Sequence, residues 1–360
     1  MVHRYGGVVG TTYVRHAIVG GMPQVSMPPR LRAVSDRQRG LVSRAQALDA
    51  GMAPEVVQRL VATGEWRTVR RGFYTEREHW ESLDPREGRR RLAVRAAYLG
   101  VARPHVVSHD SAALFLGLPT LGQPAPLVHL TRLGPPRART RNGIRYHQSR
   151  IADSQRLVVD GLPMLDIART AVDIAREHPL PHGVVAIDAA RQLGVSLAEL
   201  WSAIDGMYRW PGITTARLAV ESSDGGAESV GETLARMMLD ELGIGPVQTQ
   251  FELRDDTRHA RCDMRVGRHL VEFDGRTKYL RIENGGVAVV DPDRVVWEEK
   301  QRQDWLLGYR LGMSRLVWAD FWGDRRRVAL ARLAREYEQT CAMFGTSIDD
   351  LAHLVVRRAA

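Results

Sequence analysis

Between residues 35 and 75 the spacing of apolar positions changes twice, and each change marks an element. In 54–63, Val57, Leu60 and Val61 recur at helical spacing while Glu55, Gln58, Arg59 and Ala62 fall on the opposite face. Pro54 suits a first helical turn and Gly64 a C-terminal stop. Just upstream, Ser43-Arg44-Ala45-Gln46 has capping-box form: the Ser hydroxyl can accept from the third following amide while Gln46 reaches back. A shorter helix therefore starts there and stops at Gly51. Downstream, Glu65-Trp66-Arg67-Thr68-Val69-Arg70-Arg71-Gly72-Phe73-Tyr74 alternates basic and apolar residues, as in a hairpin with one face on a core and one toward solvent. Helix, short turn, helix and basic ribbon describe a winged helix-turn-helix over 35–80, whose second helix enters a groove and whose ribbon touches phosphates. Arg44, Arg59, Arg67, Arg70 and Arg71 are its candidate nucleic-acid contacts. A small helical bundle with solvated arginines is the competing reading.

The pattern from 81 to 221 is mixed α+β. Ser108 can cap a helix through Leu116, 126–130 reads as a strand, and Arg137, Arg139 and Arg141 fall in a Pro/Gly-bounded turn before a strand at 144–147. From Asp166 the run DIARTAVDIAR is amphipathic, and helical patterns continue through Leu200 and Arg217. His105, His109, His129, His147, His178 and His182 lack ligand spacing and are expected to be surface or capping residues. Ser222-Ser223-Asp224-Gly225-Gly226 is a break in composition, so 222–227 is read as a linker.

Beyond it, 227–242 is helical, with Leu234, Met237, Met238 and Leu242 on one face and Glu228 and Glu232 four apart on another. Strands are expected at 246–253, 261–266 and 269–275, placing Asp263 and Glu272 on neighbouring strands. Carboxylates within strands need compensation for their burial, and Asp263, Glu272 and Asp274 together call for a reason. A hard divalent cation, Mg²⁺ or Mn²⁺, is the economical one, with Lys278 close by to orient a water or stabilise charge. Internal salt bridges with Arg261, Arg265 or Arg276 are the alternative.

A chain of 360 residues exceeds one ordinary core, so several domains are expected. Lys plus Arg number 51 against 42 Asp plus Glu, a net charge of +9 that favours polyanionic partners, DNA first and RNA not excluded. Cys262 and Cys341 are the only cysteines, which rules out a disulfide framework and fits a reducing cytoplasm. No run is long and apolar enough for a membrane span, and the opening residues lack a signal peptide's continuous core. Residues 1–34, rich in Gly and Pro, are read as a disordered extension or the product of a misplaced start, with Met22 or Met27 as the true one, and 346–360 as a tail. Oligomeric state is not legible.

Two resemblances add to this. Glu232, Asp263 and Glu272 resemble the helix Glu, strand Asp and hairpin-partner Glu of the PD-(D/E)xK restriction-endonuclease-like superfamily. VEFDGRTKY, WEEKQRQDWLLGYR and SRLVWAD are similar to the very-short-patch-repair-like nuclease domains of actinobacterial proteins, over about 224–325. The resemblance implies an α/β domain with a central mixed sheet at 228–345, metal ligands Glu232, Asp263 and Glu272, and a helix at 294–307 offering Lys300 and Arg302 before a strand at 314–318. The superfamily's Glu-x-Lys places lysine two residues after the Glu, where this chain has Asp274. Two outcomes stay open: a nuclease in which Lys278 or Lys300 supplies the displaced charge and Asp274 joins the site, or a degenerate fold that only binds nucleic acid. RGLVSRAQALDAGMAPEVVQRLVATGEWRTVRRGFY, VSHDSAALFLGLP and GLPMLDIARTAVDIA resemble, over about 37–180, the antitoxin of abortive-infection type IV toxin–antitoxin systems. That resemblance implies an operon-repressing head and a nucleotidyltransferase-like toxin partner. The whole reads as an α/β multidomain protein: winged helix-turn-helix, middle α+β domain, and restriction-endonuclease-like α/β domain. Its function is DNA-targeting nuclease or non-enzymatic regulator.

Overall fold

A computed structural model describes residues 26–122, 126–135, 137–275 and 292–356, and divides the chain into two compact units that meet between Leu83 and Asp84. The first unit runs α1 (Pro29–Arg37), β1 (Val42–Ser43), α2 (Arg44–Asp49), α3 (Pro54–Ala62), β2 (Trp66–Arg70), β3 (Phe73–Glu76) and α4 (Arg77–Ser82). The capping box forms as the sequence dictates: Gln46 N donates to Ser43 Oγ at 3.1 Å and Ser43 N to Gln46 Oε1 at 2.8 Å. Pro54 opens α3, and Val57 and Leu60 are buried with Leu31, Val42, Ala47 and Trp66 in one core. The sheet order is β1-β3-β2, with an Arg71-Gly72 tip and Gly72 at φ +78. A bulge between Thr68 and Arg70 interrupts the expected alternation, leaving Arg67 and Thr68 both exposed. The disordered reading fails at 29–34, which lie in α1 with Leu31 fully buried; Pro29 at the helix start supplies the pre-set φ that a Pro-rich composition obscures.

The second unit begins with α5 (Glu87–Leu99), β4 (Val106–Val107), α6 (His109–Leu116), β5 (Val128–Leu133), β6 (Arg137–Arg141), β7 (Ile144–Ser149), β8 (Arg156–Val159) and β9 (Leu162–Leu165). The strands form one mixed sheet, β6-β7-β5-β4-β9-β8. Arg137, Arg139 and Arg141 are therefore on its exposed edge strand and not in a turn, and spacing by two sets all three on one face. α7 (Ile167–Glu177), α8 (Leu180–Gln192), α9 (Leu197–Ile204) and α10 (Ile213–Glu221) share a second core; α7 and α8 approach so closely that a Cβ on Gly183 would lie 2.8 Å from that of Ala175.

α11 (Val230–Leu242) then leads into β10 (Gln248–Arg254), β11 (His259–Val266) and β12 (His269–Asp274), an antiparallel meander. α12 (Pro292–Gly308) precedes β13 (Gly312–Val317), which pairs parallel to β12, and α13 (Gly323–Phe344) covers the sheet. The 222–227 segment is a tied turn instead of a loose linker. Asp224 N donates to Asp188 Oδ1 at 2.8 Å, Arg236 Nη1 to the Ser222 carbonyl at 2.7 Å and Arg191 Nη1 to the Ser223 carbonyl at 2.8 Å, and Val185 of α8 shares a core with Leu234 and Met238 of α11. Part of the 346–360 tail likewise packs: Leu351 is buried, and Val356 N donates to the Glu252 carbonyl at 3.0 Å along the β10 edge. Among the described residues no helix is long and apolar enough to cross a membrane.

Candidate nucleic-acid interface, acidic cluster and buried histidines

On the first unit, α3 turns Pro54, Glu55, Gln58, Arg59 and Ala62 outward, opposite the buried Val57 and Leu60. Arg44 at the start of α2, with Gln58, Val61 and Tyr74, lines a shallow groove beside that face. Arg67 and Arg71 stand exposed on the ribbon, and Arg70 is half-buried. Other arginines nearby are already engaged in the fold. Arg77 donates to the Gly64 carbonyl at 2.8 Å and the Thr63 carbonyl at 3.2 Å, closing the C-terminus of α3, and Arg32 pairs with Glu76 at 2.8 Å. The exposed set thus offers cations for phosphates and, from Gln58 and Arg59, donors of the kind that read base edges.

The acidic residues of the second unit occupy a different environment from the one expected of metal ligands. Glu232 sits in the first turn of α11, where its carboxylate accepts from Ser229 Oγ at 2.9 Å, Glu228 N at 2.9 Å and Gln250 Nε2 at 2.7 Å. Asp263 Oδ2 accepts from Phe273 N across the β11–β12 pair at 2.7 Å. Glu272, 8% exposed, accepts from Arg302 Nη2 at 2.6 Å and has Arg315 Nη2 at 3.6 Å. Such pairing compensates the buried charge without an ion. Among the described residues, Glu232, Asp263 and Glu272 do not bring their oxygens within 4.8 Å of one another as a set. Asp274 ends β12, Lys300 is exposed on α12, and Lys278 lies outside the described residues. Of the arginines expected to pair with the cluster, Arg261 bonds Gln250 and Glu228 and Arg265 bonds Gln248, while Arg276 lies outside the described residues. Burial, with Glu272 nearby, pushes the Cys262 thiol up to about 12, which favours its neutral form.

The middle of the chain holds a constellation that linear spacing hid. His109 opens α6, His129 lies in β5 and His147 in the adjacent parallel strand β7, and all three are buried instead of at the surface. One ring nitrogen from each lies within 4.8 Å of the other two. His129 Nδ1 is 3.1 Å from His147 Nε2, and the His109 and His147 rings stack at 3.7 Å between centroids. Outward, His129 Nε2 is 3.6 Å from Asp110 Oδ2 and His147 Nδ1 is 4.0 Å from Glu177 Oε1. Burial drives the imidazoles toward the neutral form: His129 is lowered to about 4, His147 to about 3 and His109 well below its usual value. Ser108 precedes α6 as expected, but its hydroxyl accepts from Thr131 Oγ1 at 2.7 Å instead of capping the helix. Period two sets His129 and Thr131 on one face of β5, but only the β5–β7 register brings His147 to them.

Residues 29–76 match the family model described as "Transcriptional regulator, AbiEi antitoxin", which supports the N-terminal resemblance over that stretch. Over 173 residues the chain is 28% identical to two uncharacterized proteins of Mycobacterium tuberculosis, MT2308 of strain CDC 1551 and Rv2248 of strain H37Rv. The match takes in 48% of this chain and spans 62% of the length of those relatives. The crystal structure of the RV2827C protein from M. tuberculosis aligns with a TM-score of 0.35 at 19% identity, covering 57% of this chain and 80% of that one.

Proposed function

We propose that the protein is a DNA-binding transcriptional regulator of the antitoxin kind, with residues 29–76 acting as a winged-helix head. The observation that carries this reading is the coincidence of the family match with a helix, helix, basic-ribbon unit. In this reading α3 lies in the major groove with Gln58 and Arg59 at base edges, while Arg44, Arg67, Arg70 and Arg71 neutralise phosphates. The antitoxin description adds a protein toxin as a second partner. Anisotropy titration of the full chain against DNA from upstream of its own gene tests it. Arg67→Ala and Arg71→Ala should weaken binding to every sequence, whereas Gln58→Ala should erode the preference for one; equal binding to all duplexes by the unaltered protein would count against a regulator.

A second reading, a restriction-endonuclease-like domain, is favoured by element order: α11, the β10–β12 meander, α12 and a parallel β13, with Asp263 and Glu272 on neighbouring strands. The Arg302 and Arg315 contacts of Glu272 weigh toward binding without cleavage. Incubation of supercoiled DNA, single-stranded DNA and RNA with Mg²⁺ or Mn²⁺, beside a Glu272→Ala control, separates the two. Cleavage that vanishes in the control would establish the nuclease and make Lys278 the next target.

A further inference from the structure

We propose that His109, His129 and His147 bind one transition-metal ion of the zinc class, with a fourth coordination position open to the adjoining pocket. Three neutral imidazoles plus one exchangeable position is a ligand set that suits Zn²⁺. The inner edges of the rings meet each other. Zn–N bonds of about 2.0–2.1 Å set tetrahedral nitrogens about 3.3 Å apart. The His129 Nδ1 to His147 Nε2 separation of 3.1 Å is close to that value. One nitrogen of His109 lies within 4.8 Å of the other two ligand atoms, and His109 completes the set by tilting off the His147 ring on which it stacks.

The outer edges face carboxylates. Asp110 lies 3.6 Å behind His129 Nε2 and Glu177 4.0 Å behind His147 Nδ1, beyond hydrogen-bond distance but placed to close on a metal-bound imidazole and orient it. Both carboxylates are themselves held, Asp110 by His178 Nε2 at 3.0 Å and Glu177 by Arg145 Nη2 at 2.7 Å. On loading, the proton shared between His129 Nδ1 and His147 Nε2 moves to an outer nitrogen, leaving both inner lone pairs for the metal.

His109 supplies the separate argument against a mere packing role. It is 2% exposed, and among the described residues neither ring nitrogen has a hydrogen-bond partner. Buried polar atoms are almost always paired, so a side chain with two unpaired ones calls for a ligand. Its φ of +51, uncommon for a residue with a side chain, holds that imidazole inward at the start of α6. His109 and His147 also line a pocket with Arg137, Arg169, Arg176, Glu177 and Trp210, which gives a fourth ligand, water or an oxyanion, a place beside the trio.

The test uses the untagged full chain, stripped with chelator and titrated with Zn²⁺ alone, then Co²⁺ as a spectroscopic substitute. The expected result is one ion per chain, intense visible bands of four-coordinate Co²⁺, and an X-ray absorption edge fitted by three imidazoles and one light atom. His129→Gln and His147→Gln should abolish stoichiometric binding, and Glu177→Gln should weaken it about 10–100-fold, while His105→Gln should not. Should the trio variants unfold, the absorption spectrum of the unaltered protein still decides. No binding at one equivalent, a ligand set without imidazole, or undiminished binding in folded His147→Gln would each overturn the proposal.

Discussion

Replacing Asp188 by alanine removes the acceptor that ties α8 to α11 and to the 222–227 turn. Asp188 is 1% exposed and accepts from Arg236 Nη2 at 2.9 Å, Thr233 Oγ1 at 2.9 Å and Asp224 N at 2.8 Å. Burial pushes its carboxyl above the usual range even though Arg236, Asp224 and Thr233 pull the other way, so the intact pair adds little net stability. The cost of Asp188→Ala comes instead from leaving Arg236, itself 5% exposed, with only the Ser222 carbonyl and Asp240 at 3.3 Å as acceptors, and is about 3 kcal/mol. Urea unfolding of the full chain should register that loss, and limited proteolysis should begin to cut at Gly225-Gly226. The double variant Asp188→Leu, Arg236→Met replaces the pair with apolar groups and should recover most of the loss. A single variant within about 1 kcal/mol of the parent, or a double variant no better than the single, would refute the reading of 222–227 as a tied turn.

Three further outcomes are expected. His269, buried against Thr340 and Ser314, is lowered to about 4 by desolvation, so its contribution is complete above about 6.5 and fades as pH falls toward 4. Between pH 7.5 and 5 the parent should lose about 2 kcal/mol more than His269→Gln by chemical denaturation; equal losses would disprove the assignment. Leu31→Ala should destabilise the first unit by about 2–5 kcal/mol, which its own thermal transition would report, whereas no change would return 29–34 to the disordered reading. Arg77→Ala, which frees the Gly64 and Thr63 carbonyls, should fray the end of α3 in amide exchange and cost about 1 kcal/mol, with unchanged protection arguing against that cap.

The elements legible in the sequence are those set by contacts between near neighbours. Ser43 and Gln46 are three apart, Pro54 opens α3 by its own φ, and Arg71-Gly72 makes the ribbon tip from local backbone freedom. What stayed hidden depends on partners distant in the chain. The Ser-Ser-Asp-Gly-Gly segment reads as flexible because Asp188 and Arg191, some thirty residues earlier, are what tie it down. Glu272 reads as a metal ligand because Arg302 and Arg315 reach it only through the parallel pairing of β12 with β13 and the helix between them. The histidine trio needed the β5–β7 register and the placement of α6 before its spacing meant anything.

Duplex binding by the first unit through α3 and its basic ribbon would show in the salt dependence of DNA affinity, measured on the full chain and on Arg67→Ala. Binding should be tight and fall linearly on a log–log plot, with a slope reduced by about 0.9 for each phosphate contact removed. An Arg67→Ala slope and affinity identical to the parent's, or no duplex binding by the parent at low salt, would contradict it.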